Sequence, residues 1–360
     1  MEFLKELCET PGVPGREERV RDVIMKHTRG LFDEQTVDPL GSLVCRKQPG
    51  RKPSGNAPKR VMLACHMDEI GFYVKFIDKH GHLRLQQVGG FDTRNLFARR
   101  VLVQGKQDLV GILNPTGRPI HLATEEEKKK VYKVSEFFVD LFMPKKEVEK
   151  LVRVGDPVTL IQPFGLIGDV ATCKAMDNRV ASWVAINAVR KVGNRSPYEI
   201  VYVGTVQEEV GCRGAGPSAY GIEPDYGIAI DVTLACDTPG IEEDEHVCCL
   251  GQGVALKVMD SASISHRGLL DEFIDLAKRQ KIKHQLEVLP LGGTDACTVQ
   301  RAGVGRPTIT LSIPTRYIHT VSECVHRKDL DAAVNLLAAW LMDRKNPKPA
   351  TARRRHVPSA

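Results

Sequence analysis

The chain has 360 residues, 42% of them hydrophobic and 27% charged, the balance of a folded globular protein, which excludes wholesale disorder. Lys plus Arg exceed Asp plus Glu by 51 to 45, and Lys348, Arg353, Arg354 and Arg355 fall in the acid-free segment 346–360. The remaining body is close to neutral, so neither a nucleic acid nor an anionic membrane is the expected partner.

The ten cysteines include no C-x-x-C pair. The opening MEFLKELCET is not a signal peptide, and no stretch approaches the roughly 18–20 apolar residues of a membrane span. A cytoplasmic location is the expectation. Residues 1–30 are expected to be helical: Leu4 and Leu7 give an apolar stripe, 11–15 breaks it, and Val20, Val23 and Ile24 resume it. The run 36–46 reads as a strand with a turn at 39–41, and 50–59 as an exposed loop. Residues 61–65 form a short continuous apolar run, the mark of a strand covered on both faces.

From 70 to 165 the pattern changes to short alternating segments separated by glycine turns, with helical periodicity only at 135–152. This block predicts a small β-barrel or sandwich inserted into the larger domain. The charged stretch 118–133 reads as a solvated loop or helix end. From Asp177 onward helices are expected at 178–191, 268–281, 295–302 and 329–344, with strands at 198–205, 226–231, 285–289 and 307–312. That alternation implies a sheet with helices on both faces. The predicted domains are 1–69 with 166–345, the insertion 70–165, and a disordered basic tail at 346–360.

Five acidic or imidazole clusters fall at the ends of predicted strands, where open α/β sheets place their sites. His66 and Asp68 form H-x-D after 61–65; the imidazole suits a metal, with the carboxylate orienting the ring, against the alternative of a polar surface turn. Asp177 stands at a helix entry, where an ordinary N-cap is the simple alternative. Glu208 and Glu209 follow strand 198–205 and put two like charges side by side; paired cations would offset them, unless the loop is solvated. Asp231 ends the run 226–231 and His319 follows TITLS; alone, each has a bland structural explanation. Together the two His, two Asp and two Glu make a nitrogen and oxygen donor set suited to paired Zn²⁺, Co²⁺ or Mn²⁺.

Along almost its whole length the chain resembles the tetrahedral aminopeptidases, a glutamyl-aminopeptidase-like group of dinuclear metallopeptidases. The motifs are L-x-x-L-C-E-T-P-G-V-P-G-x-E at 4–17, D-P-L-G-S-L at 38–43, A-C-H-M-D-E-I-G-F at 64–72 and G-G-F-D at 89–92. They continue with M-D-N-R at 176–179, Q-E-E-V-G-x-R-G-A at 207–215, D-V-T at 231–233, G-G-T-D-A at 292–296 and R-Y-I-H-T at 316–320.

The resemblance implies a mixed-sheet, zinc-peptidase-like α/β catalytic domain and an inserted PDZ-like β-barrel for dimerisation. It implies removal of N-terminal residues from short peptides with two divalent ions per subunit, zinc or cobalt before manganese. Asp177 would bridge the ions, His66 and Asp231 would complete one site, and Glu209 and His319 the other. Glu208 would be the general base, Asp68 the partner of His66, and the assembly a dimer-based homo-oligomer, a dodecamer. Ala98 and Ala181 stand where the family pattern has glycine. The competing readings are a deacylase or carboxypeptidase of the same superfamily, an assembly protein that has lost catalysis, and an endoglucanase, a label some relatives carry. The last would leave His66 and His319 without a role, because glycoside hydrolysis uses two carboxylates.

Overall fold

The computed structural model describes residues 1–50 and 57–343. Part of the loop expected at 50–59 and the tail expected at 346–360 lie outside the described residues. The fold is a mixed α/β body on a large sheet, together with a closed six-stranded antiparallel barrel.

Four parallel strands form the centre of the sheet, in the order Glu199–Thr205, Arg60–His66, Tyr226–Leu234, Thr308–Arg316. Side chains alternate across a strand, so a strand covered on both sides must be apolar at every position. Arg60–His66 meets that condition: Val61, Leu63 and Cys65 join one core and Met62 and Ala64 the other. Helices Met176–Val192 and Arg327–Met342 pack over the first face. Helix Ala215–Ile222 covers the second. Its sequence, AGPSAYGI, carries two glycines and a proline and was not expected to be helical. Packing overrides propensity here, because Ala215, Ala219 and Ile222 share one face against Met62, Ala64, Val201 and Val203.

The run 36–46, read as a strand with a turn at 39–41, is a hairpin of Glu34–Val37 and Leu43–Lys47. Its turn is built by Asp38, whose Oδ1 accepts the N–H groups of Leu40, Gly41 and Ser42.

The barrel takes Gly71–Ile77, Leu83–Val88, Phe137–Asp140, Asp108–Pro115, Arg99–Gln104 and Pro157–Leu160, in that order around its wall. Helical structure expected at 135–152 reduces to a single 3-10 turn at Val134–Glu136 and the helix Lys145–Leu151. Before it, Phe137 and Val139 point inward with period two, and that alternation makes a strand. The charged segment 118–133 contains one short helix, Glu125–Lys129, closed by a capping box between Thr124 and Glu127. The helix expected at 295–302 shrinks to Ala296–Val299, and strand 226–231 extends to Leu234. No helix among the described residues is long and apolar enough to cross a membrane.

Candidate metal centre

His66 is the last residue of Arg60–His66, and Glu208 and Glu209 follow Glu199–Thr205 by three and four positions. Asp231 lies within Tyr226–Leu234, with the strand running three residues past it, and His319 follows Thr308–Arg316. Asp177 enters from the helix Met176–Val192, whose opening residues Asp177 and Asn178 are non-helical. Parallel strands carry their carboxyl ends to one edge, and that edge is where these side chains meet.

Asp177 divides the cluster. Its Oδ1 lies 3.1 Å from His66 Nε2 and its Oδ2 lies 3.4 Å from His319 Nε2. Asp231 Oδ1 stands 3.7 Å from His66 Nε2, and Glu209 Oε2 stands 3.4 Å from His319 Nε2. Glu208 Oε2 is 3.9 Å from His66 Nε2, and the group lines a cleft of about 470 Å³.

Asp68 is buried, and its carboxylate lies 3.6 Å from His66 Nδ1. The atom within hydrogen-bond reach of that nitrogen is the Asp68 backbone carbonyl, at 3.1 Å. The carboxylate is occupied elsewhere: it accepts the backbone N–H groups of Glu208 at 3.1 Å and Glu209 at 3.0 Å. The side chain expected to partner His66 stands in ion-pair range of it and at the same time clamps Glu208 and Glu209.

Electrostatics follow from crowding. Burial pushes the carboxyls of Glu208 and Glu209 well above the usual range, and neighbouring carboxylates add to the effect. Burial lowers the His66 imidazole, but Glu208, Asp177, Asp231 and Asp68 outweigh it and the net shift is upward. Asp177 moves the other way: its burial is outweighed by hydrogen bonds from His319 and His66. Glu209 Oε1 is buried with no hydrogen-bond partner. The one lysine lining the cleft, Lys257, is paired with Glu287. Among the described residues lining the cleft, the two imidazoles are thus left to offset four carboxylates.

Sequence reading gave no site role to four contributors. Glu323 is buried at 2% exposure; its Oε2 accepts the Asp177 N–H at 2.9 Å and its Oε1 the His319 N–H at 2.8 Å. The H-x-x-x-E spacing after His319 was the available signal. Glu17 accepts the N–H groups of Gly15 and Gln207, and carries an elevated pKa. Gly89 and Gly90 reach the site from the barrel. A Cβ on Gly89, at φ +86°, would sit 2.5 Å from Ile70 Cγ2 and 3.2 Å from Glu209 Oε2; one on Gly90 would sit 3.2 Å from His319 Nδ1. At Gly89 the left-handed backbone and the overlap with Ile70 require glycine.

The model of M42 glutamyl aminopeptidases matches residues 41–336. A lysyl aminopeptidase of Pyrococcus furiosus is 33% identical over 355 residues, covering 96% of this chain and 97% of that one. Among solved structures, a TET aminopeptidase from a marine sediment thaumarchaeote superposes with a TM-score of 0.90 at 33% identity, with 95% of each chain covered. The TET1 peptidase of Pyrococcus horikoshii, which can assemble into a tetrahedron or a large octahedral shell, gives a TM-score of 0.82 at 30% identity, covering 95% of this chain and 99% of that one. By the extent of the match and the conservation of architecture, this chain belongs to the M42 glutamyl aminopeptidase family.

Proposed function

We propose that the chain is a metal-dependent aminopeptidase with a dinuclear centre, releasing N-terminal residues from short peptides. The observation that carries this reading is the division of Asp177: its two carboxylate oxygens face different imidazoles, each joined by its own second carboxylate. His66 and Asp231 with Asp177 Oδ1 would hold one ion, and His319 and Glu209 with Asp177 Oδ2 the other. Tetrahedral donors about 2.0–2.2 Å from one ion lie about 3.3–3.6 Å from each other. The separations here, 3.1 to 3.7 Å, fit that requirement. So does the unpartnered Glu209 oxygen, an acceptor waiting for a positive charge. The borderline donor set suits zinc, cobalt or manganese.

When bound, such ions lower the pKa of a water and polarise the substrate carbonyl. Glu208 supplies the proton transfers. Its carboxyl, raised by burial, accepts a proton from the attacking water and returns it to the departing amine. Asp68 fixes the Glu208 and Glu209 backbone so that the base and its neighbour point into the cleft from one rigid turn. Glu323 fixes the backbone of Asp177 and His319 in the same way. An endoglucanase reading leaves the two imidazoles idle and gains no support from this geometry.

Elemental analysis of protein purified without chelator tests the reading. It should approach two divalent ions per chain, with turnover of aminoacyl-p-nitroanilides restored to chelated protein by zinc, cobalt or manganese. A value near zero without activation by added metal would overturn it.

The insertion 70–165 is proposed as the dimerisation domain of a dodecamer. Large apolar side chains stand open on its surface, among them Phe142 at 76%, Leu122 at 69% and Val131 at 64% exposure. Light scattering should give twelve chain masses; a fully active monomer would refute the assembly.

A further inference from the structure

Beside the cluster that Asp177 divides lies a second group of metal-ligating side chains with different chemistry. Glu208, Cys212 and Asp295 each offer one donor atom, and the three atoms lie within 4.8 Å of one another. The local fold explains their meeting. After strand Glu199–Thr205 the chain turns back on itself, and the N–H groups of Gly211 and Cys212 both donate to the Glu208 carbonyl, at 2.8 and 2.9 Å. The turn returns the Cys212 thiol to Glu208, with Sγ 3.2 Å from Oε1. Asp295 arrives from the loop before helix Ala296–Val299, anchored through Oδ2 to the Thr205 hydroxyl.

Three observations point to a cation site. Asp295 is only 2% exposed, yet its Oδ1 has no hydrogen-bond partner. Burial pushes its carboxyl up to about 7, with Asp231 and Asp68 adding to the shift and His66 and the Thr205 hydroxyl only partly offsetting it. Glu208 and Cys212 both line the cleft, which gives a cation a route from solvent.

We propose that Glu208, Cys212 and Asp295 form a site for a thiophilic divalent cation of the zinc or cadmium type. Sulfur with carboxylate selects such ions over magnesium, calcium or manganese. Binding displaces the Cys212 thiol proton to solvent and places the Glu208 carboxylate on the cation. A Glu208 so engaged no longer accepts a proton from water, so excess thiophilic metal inhibits. The binding rests on the donors alone; the inhibition rests on Glu208 being the base, as proposed above.

Cadmium titrated into the purified holoenzyme separates these two statements. Sulfur-to-cadmium charge-transfer absorption should grow to one added equivalent and disappear in Cys212→Ala and Cys212→Ser. Cadmium exchanging into the Asp177 centre gives no such band, because that centre has no thiol. Peptidase rate should fall over the same cadmium range. The inhibition constant, each variant being referred to its own uninhibited rate, should rise at least about tenfold in Cys212→Ser. Should the variants not fold, cadmium NMR of the wild-type protein reads a thiolate-bound resonance directly. Absence of that resonance, or charge-transfer absorption unchanged in Cys212→Ala, overturns the site. Cys212-dependent absorption with an unaffected rate upholds the site and overturns Glu208 as the base.

Discussion

Replacing Glu323 by alanine tests whether the site depends on a side chain that reaches no substrate. Glu323 begins strand Glu323–His326 and spans two distant segments, accepting the backbone N–H of Asp177 at 2.9 Å and of His319 at 2.8 Å. Alanine removes both acceptors and leaves two N–H groups facing a void. Each orphaned donor costs about 1–3 kcal/mol, so the pair costs about 2–6 kcal/mol, divided between folding and metal binding. Loss of a residue that orients ligands lowers metal affinity about 10–100-fold, or roughly 1.4–2.7 kcal/mol, which lies within that range. Glutamine keeps one carbonyl acceptor but turns an NH₂ toward the other N–H, so Glu323→Gln should fall between wild type and Glu323→Ala. Competition against a chromophoric chelator measures zinc affinity, and thermal unfolding of metal-free protein measures the folding share. An alanine variant with wild-type zinc affinity and only a lowered Tm would show that Glu323 serves the fold and not the ligands.

Glu208→Gln should reduce turnover about 10²–10⁴-fold while metal analysis stays at the wild-type value; loss of an ion instead would exchange the roles of Glu208 and Glu209. Ala98 adopts φ +53°, where a Cβ is strained, so Ala98→Gly should raise unfolding stability by about 1 kcal/mol, and a decrease would refute the strain. Burial, with Asp68 adding, lifts Glu17 from its ordinary 4.5 to about 7. The folded state therefore holds the extra proton in that window, and the associated stability, complete below 4.5, is lost as pH rises through about 7. Both N–H partners of Glu17 bond Oε1, an acceptor glutamine retains, so metal-free Glu17→Gln should lack roughly 2–3 kcal/mol of that decline between pH 4.5 and 7. Denaturant unfolding at the two pH values reads the difference, and parallel slopes would refute it.

The parts of the fold that were legible in sequence are those where one physical pattern dominates. Arg60–His66 reads as a buried strand because every position from Val61 to Cys65 is apolar and both its neighbours are parallel strands. Asp177, Glu208, Glu209, Asp231, His66 and His319 could be named because charged groups beside apolar strands are conspicuous, and the structure gathers them in one cleft. What stayed hidden depends on partners distant in the chain. Ala215–Ile222 is a helix only because the sheet gives its alanine face something to cover. The Asp68 carboxylate turned to Glu208 and Glu209, some 140 residues away, and no spacing rule anticipates that choice. Glu323 offers only its spacing from His319 as a signal; its importance lies in two backbone hydrogens belonging to other residues.

Gly89 and Gly90, just past the barrel strand Leu83–Val88, set a wall behind two of the proposed ligands: a Cβ on Gly89 would overlap Ile70 and come 3.2 Å from Glu209, and one on Gly90 would come 3.2 Å from His319. A wall with so little slack acts as a gauge. Tilting the barrel inward drives backbone into two proposed ligands, and tilting it outward floods the side of the site that keeps Glu209 dry. If subunits dock through their barrels, the docking angle sets that tolerance for every site in the shell at once. Quaternary geometry and the fit around each ion then become a single adjustment, and a contact mutation far from the chemistry would register as altered metal retention.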